Sequence, residues 1–332
     1  MIREKWVDYA KAIGILLVVY GHVARGLVSA GLMADTDFYR YIDSIIYTFH
    51  MPLFFFLSGL FLISTLKSKG VGVALGSKVD AVLYPYILWS LIQGVIEITL
   101  SNYTNGSVTL TEVLSLFTEP RAQFWFLYAL FFIFIVSFTL ISFLGVRVLP
   151  VLFFLSIISY VYRFETHSVA AIDFLCSNSV FFLFGAIYQQ YGLSKLSSTY
   201  TTLVIFVLAI LGQYWFHYSG YDYLNKGFPL LILSTLSLIS VVNISVALSG
   251  YNFIYFAYVG SSSMAIYLMH ILAGSGARVI LNKLLGVDYF ILHLLIGTAL
   301  GVFLPLMVLK AINFSKFQYA FSFPISRLWK AN

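Results

Sequence analysis

Long apolar runs alternate with short polar breaks along this chain, and most of the runs are long enough to cross a bilayer. Read between the breaks, they fall near 7–31, 41–65, 80–101, 123–143, 147–162, 169–191, 200–218, 228–249, 257–282 and 289–312. A span of roughly 20 apolar residues matches a hydrocarbon layer of about 30 Å. The pattern predicts about ten transmembrane helices in an all-α polytopic bundle. The fourth and fifth runs are parted only by the turn around Gly145 to Arg147, which implies a tight hairpin and leaves nine spans as the alternative. The glycine-rich stretch GVGVALG, Gly70 to Gly76, reads as a cytoplasmic loop between the second and third spans.

Composition agrees with the pattern. The 332 residues are 61% hydrophobic and 10% charged, with a mean hydropathy of +0.93, which excludes a soluble globular domain. No polar stretch is long enough for a second domain, so one integral-membrane domain over 1–332 is expected. The first run lacks the short apolar region and small-residue cleavage site of a secretory signal and should stay as a membrane helix. With the N-terminus inside, the inward segments hold Arg3, Lys5, Lys11, Lys67, Lys69, Lys78, Arg147, Lys195, Lys310, Lys316, Arg327 and Lys330. That bias favours both termini in the cytoplasm. The net charge of +6 is dispersed over membrane connections rather than gathered on a face, so no nucleic-acid partner is expected. The single cysteine, Cys176, excludes an internal disulfide framework or thiolate metal cluster.

The chemistry is concentrated in the first run, WVDYAKAIGILLVVYGHVARG, where Asp8, Lys11 and His22 interrupt an apolar segment. Ionisable groups at membrane depth are costly and mark function by default. Lys11 and His22 are eleven residues apart, which returns to nearly the same helix face about 16 Å along the axis. Asp8 stands three residues before Lys11, close enough to pair with it, and Gly14 and Gly21 leave room for a neighbouring helix or ligand. His22 and His50 enter from opposite sides, and counting residues puts both about 5 Å outward of the midplane. His270 falls near the centre of the ninth run, so three imidazoles share one depth. No carboxylate lies obviously beside them, and no metal is expected. A buried neutral imidazole suits a general base, and the alternative is a histidine holding one hydrogen bond across to another helix.

The segments DYAKAIGILLVVYGHV, FHMPLFFFLSGLF, LYPYILWS, FWFLYALF and SMAIYLMHIL, in that order, carry a resemblance to the membrane-bound acyltransferase family 3 over nearly the whole chain. Within it the chain is most similar to fucose 4-O-acetylase-type polysaccharide O-acetyltransferases. The resemblance implies transfer of an acyl group, usually acetyl from acetyl-CoA, to a hydroxyl of a cell-surface polysaccharide or lipid-linked glycan precursor. It also implies a multi-pass protein of a bacterial inner membrane, working beside membrane lipid and polysaccharide assembly proteins. His22 matches the family's catalytic histidine. Lys11 matches a basic residue of the same motif and is lysine where many members have arginine, which keeps the charge but loses bidentate geometry.

Lys11, Lys67, Lys69 and Lys78 would form a cationic inner mouth for the phosphates of CoA. Many family members carry an arginine pair just before the third span, whereas this chain reads GSKVDAVLYPY, with Lys78 and no second basic partner beside Asp80 and Ala81. On the outer side, His50, Glu119, Arg121, Trp125, Arg163 and His270 are candidate acceptor contacts, with Gln123, Tyr128 and Tyr223 among the polar and flat groups nearby. Two mechanisms remain open: direct attack on the thioester with His22 as base, or an acyl-enzyme. A proton-coupled carrier or flippase is the alternative function, although the two halves show no repeat of hydropathy.

Overall fold

The computed structural model describes residues 4–101, 108–162, 169–315 and 318–328, and these are helical throughout apart from their connections. Helix α1 spans Lys5–Ser29 and α2 spans Asp37–Gly59, with the Thr36 hydroxyl capping its first turn. Helix α3 (Leu62–Lys78) passes through one π turn, Val79–Leu83, into α4 (Tyr84–Thr99). A short α5 (Leu110–Leu114) precedes α6 (Trp125–Leu144), and α7 (Leu149–Tyr162) returns after Gly145. There follow α8 (Ala170–Gln190), α9 (Thr199–Tyr218), α10 (Phe228–Leu248), α11 (Ile254–Ser261), α12 (Ser263–Val279), α13 (Phe290–Phe314) and α14 (Ile325–Leu328). Among the described residues nine stretches are long and apolar enough to cross a membrane, and Val146–Tyr162 is a shorter apolar helix after the expected hairpin. Many large apolar side chains on α9 and α13 remain exposed, among them Leu203, Leu211, Leu295 and Phe303, which suits a surface facing lipid.

Two breaks depart from the sequence reading. Gly70 to Gly76 is not a loop: it lies inside α3, with only Gly70 in a non-helical conformation at φ 69° and ψ 167°. A glycine takes that φ without steric cost, so the chain bends there and resumes its helix over Val71 to Lys78. The run Leu62–Thr99 has 38 residues, about 57 Å at helical rise, and the bend divides what one straight span would overfill. The ninth run is likewise divided at Ser262, between α11 and α12.

Helix α1 is central, touching α2, α10, α11, α12 and α13. Its small residues permit this. Gly14 faces Phe54 and Leu53, and Gly21 faces Tyr47, so the room left by these glycines is taken by α2. Gly260 of α11 lies so near α1 that a Cβ there would fall 1.7 Å from the Asp8 carbonyl oxygen. Gly59 and Gly185 do the same between α2 and α8, where added Cβ atoms would fall 1.8 Å from the Phe182 carbonyl and 2.0 Å from that of Phe56. Close backbone approach through small residues is how helices gain contact in lipid, where no hydrophobic force drives them together. Around these crossings a phenylalanine-rich core forms, including Phe55, Phe56, Phe126, Phe134, Phe138 and Phe182.

Residues 318–328 fold back on α3 and α4. Tyr84 and Trp89 donate to the carbonyls of Tyr319 and Ala320, each at 2.8 Å, and Trp89 stacks on Phe321. Asp80 accepts from the Ser326 amide at 2.9 Å and from its hydroxyl at 2.6 Å.

Candidate active site

His22, one turn before Gly26 on α1, borders a cavity of about 270 Å³ lined also by Arg25, His270, Ser275, Arg278 and His293. Three elements build it: the C-terminal third of α1, the middle and end of α12, and the start of α13. Helices α12 and α13 close on α1 through Gly274, Gly297 and Gly301, which sit against Val23 and Val19. The His22 and His270 rings lie 5.0 Å apart, tilted by 58°. The equal-depth reading of the two histidines is thus realised as a direct contact. His50 interacts electrostatically with His22 but does not line the cavity; it is 1% exposed and packs edge-on to Tyr47 at 4.5 Å.

The histidines differ in one respect that bears on chemistry. His50 Nδ1 lies 2.8 Å from the Ile46 carbonyl, His217 Nδ1 2.8 Å from that of Gln213, His270 Nδ1 2.8 Å from that of Tyr267, and His293 Nε2 2.6 Å from that of Val287. A carbonyl only accepts, so each of these ring nitrogens carries the proton and the opposite nitrogen is left as an acceptor. The acceptor nitrogens of His270 and His293 are buried without a partner. His22 alone among the described histidines makes no such bond, and its ring is partly exposed to the cavity. Its two nitrogens are therefore unconstrained by the backbone.

Charged groups in the wall are of two kinds. Arg25 is held by Asp43 through Nε at 2.9 Å and Nη2 at 2.7 Å, and its guanidinium lies 3.3 Å over the Tyr47 ring and 5.2 Å from that of Tyr223. Arg278 donates from Nη1 to the Gly26 carbonyl at 2.8 Å, and no carboxylate among the described residues pairs with it. The sequence reading did not single out Arg278 or Arg25. Their only signal was a cation close to the end of an apolar run, which normally reads as an interfacial anchor.

The remaining candidates lie elsewhere. Asp8 is buried in the first turns of α1, and Lys11 is half-buried three turns before His22. Lys11 and Lys69 are within electrostatic reach of Lys78, whose ammonium sits 3.9 Å from the Phe134 ring centre, while Lys67 and Lys69 are exposed. None of the four lysines lines the His22 cavity. Glu119 is exposed and Trp125 stacks on Phe174 at 5.3 Å. Arg121 is committed to Glu97 at 2.6 Å, beside a reciprocal pair of amides, Gln93 and Gln123. None of these three lines the cavity. Arg163 lies outside the described residues. Among the described residues no group of three or more His, Cys, Asp or Glu side chains is placed to hold a metal ion.

Comparison with known proteins places this geometry in a family. The chain is 31% identical over 147 residues to nodulation protein NolL of Mesorhizobium japonicum, covering 44% of this chain and 36% of the relative. It is 29% identical over 128 residues to nodulation protein NolL of Sinorhizobium fredii, covering 38% of this chain and 34% of the relative. The matched segment therefore spans about a third of the length of these curated relatives. No solved structure matches. The acyltransferase 3 family, described as an acyltransferase domain, matches residues 4–310, nearly the whole chain and all of the cavity-forming helices, and the chain belongs to that family.

Proposed function

We propose that this family member transfers an acetyl group from acetyl-CoA to a hydroxyl of a cell-surface polysaccharide or lipid-linked glycan precursor, with His22 as general base. The observation that carries this reading is the contrast among the described histidines: of these, only His22 faces a cavity with its ring free of backbone hydrogen bonds. An imidazole so placed accepts the proton of an acceptor hydroxyl as that oxygen attacks the thioester carbonyl carbon. The C–S bond breaks, CoA leaves as the thiolate, and the proton on His22 passes to it, so the ester and free CoA are the products. His270, with its proton on Nδ1, has Nε2 left as an acceptor beside His22, where it would take a hydrogen bond from the His22 ring N–H and so orient that ring. Lys11 extends the same helix towards Lys69 and Lys78, and CoA phosphates held there would leave a gap of about 16 Å to His22, within reach of a pantetheine arm.

In this reading both termini are cytoplasmic, the membrane is a bacterial inner membrane, and the acceptor approaches from the other face alongside polysaccharide assembly proteins. The test compares O-acetyl content of surface glycan by mass spectrometry among cells with the intact gene, a deletion, and a His22→Ala variant of normal membrane abundance. Loss of an acetyl-sized mass in both mutants is expected. Full acetylation in His22→Ala cells defeats the mechanism, and unchanged acetylation in the deletion with reduced glycan export favours a carrier.

A further inference from the structure

The His22 cavity shares part of its wall with a second space. Ile271, Ser275 and Arg278 of α12 also line a second, larger space of about 610 Å³ that runs between α12 with its following π turn and the end of α4. Its walls are predominantly aliphatic, from Ile96 and Leu100 on one side to Leu272 and Ile280 on the other. Its charged members are Glu97, Arg278 and Lys283. Glu97 is neutralised by Arg121 at 2.6 Å, whereas neither Arg278 nor Lys283 has a carboxylate partner among the described residues. A half-buried guanidinium with one bond to a helix carbonyl and no carboxylate partner among the described residues, in the wall that an apolar groove shares with the His22 cavity, suits an anionic group that arrives attached to an apolar chain.

Resting on the acyl-transfer reading above, we infer that the acceptor is delivered on a lipid phosphate, with its chain in the α4–α12 groove, its phosphate at Arg278 and Lys283, and its hydroxyl beside His22. The wall that the two spaces share, Ile271, Ser275 and Arg278, sets the order of these groups: chain, anion, reacting hydroxyl. A free polysaccharide would leave the groove to bulk lipid and Arg278 without an anion.

Gly276 supplies a clean probe, because it lines the groove, is exposed, and a Cβ added to it meets nothing within 4 Å. Gly276→Leu therefore adds apolar bulk to the groove from a position where its Cβ meets no protein atom. The experiment uses the full chain in nanodiscs of zwitterionic lipid without acetyl-CoA, labelled with a diazirine-bearing farnesyl phosphate and mapped by peptide mass spectrometry. Labelling is expected on residues 96–100 and 271–284, competed by farnesyl phosphate but not by farnesol or phosphatidylglycerol. Gly276→Leu and Arg278→Gln should each lower it about tenfold, equivalent to about 1.4 kcal/mol. Leu203→Phe, on the lipid-facing groove beside α9, should leave it unchanged. Equal competition by farnesol removes the anion subsite, equal competition by phosphatidylglycerol makes the groove a bulk-lipid site, and full labelling of Gly276→Leu shows that the chain lies elsewhere; each overturns the inference. Because no acyl donor is present, labelling stands or falls independently of the acetylation test, so failure of either reading is distinguishable from failure of the other.

Discussion

A histidine in a membrane helix usually satisfies itself by bonding to the carbonyl one turn back, as His50 does with Ile46 and His217 with Gln213. His22 does not, and that difference sets the residue-scale predictions. His22→Gln keeps a polar side chain of similar reach but removes the base, and turnover should fall by about 10²–10⁴-fold with little change in donor KM. His270→Gln should cost less, because in the proposed mechanism it orients His22 rather than taking the proton; steady-state kinetics in proteoliposomes measures both. Arg25 illustrates a second kind of wall residue, engaged on both sides by Asp43 and Tyr47. Asp43→Asn removes the charge that holds the guanidinium, and a loss of about 1–3 kcal/mol is expected in thermal or denaturant stability measured in detergent. That His22 is a candidate for function was legible from its cost at membrane depth. Its lack of a hydrogen-bond partner was not, because the same i−4 carbonyl is available to every helical histidine and only side-chain packing decides which one takes it.

At the scale of elements, the bundle is organised by glycine at crossings. Gly185→Ala would press a methyl group to 2.0 Å from the Phe56 carbonyl oxygen, and backbone cannot yield as a flexible side chain can. Destabilisation of about 1–3 kcal/mol or outright misassembly is expected, read as an earlier melting transition or an aggregated peak in size-exclusion chromatography. Gly72→Ala is the contrasting case: it sits in α3 with nothing within 4 Å, and should be neutral or stabilising by up to about 1 kcal/mol. Gly185 and Gly72 have the same propensity and the same kind of apolar neighbours in sequence, so nothing local tells a glycine at a helix crossing from one in open space. The bend at Gly70 and the break at Ser262 both fall within apolar stretches, so hydropathy marks the stretch and not the joint.

Across the whole molecule, distant parts of the chain are tied by polar contacts that no local pattern announces. Asp80 interrupts the basic pair that the family resemblance leads one to expect and instead receives two hydrogen bonds from Ser326, 246 residues away. Asp80→Ala should release residues 318–328 from α3 and α4, raising their hydrogen exchange markedly while the α1 core keeps its protection. This segment, with Trp89 stacked on Phe321, also packs against the π turn Val79–Leu83. Exchange in this segment that stays as slow in the variant as in the parent would show that the aromatic contacts suffice to hold it.

Hydropathy alone determined the all-helical membrane bundle, the approximate place of nearly every span, and the prominence of Asp8, Lys11 and His22. It could do so because lipid penalises each exposed polar group separately, and that penalty is written residue by residue. Which polar groups meet was decided only by the tertiary structure. Arg278 and His22 come to one cavity from positions 256 residues apart in the chain, and Arg121 is spent on Glu97. Those outcomes depend on crossing points set by shape, where a glycine admits a backbone and a valine fills the gap. Such shape complementarity is a property of pairs of surfaces that a single strand of sequence does not contain.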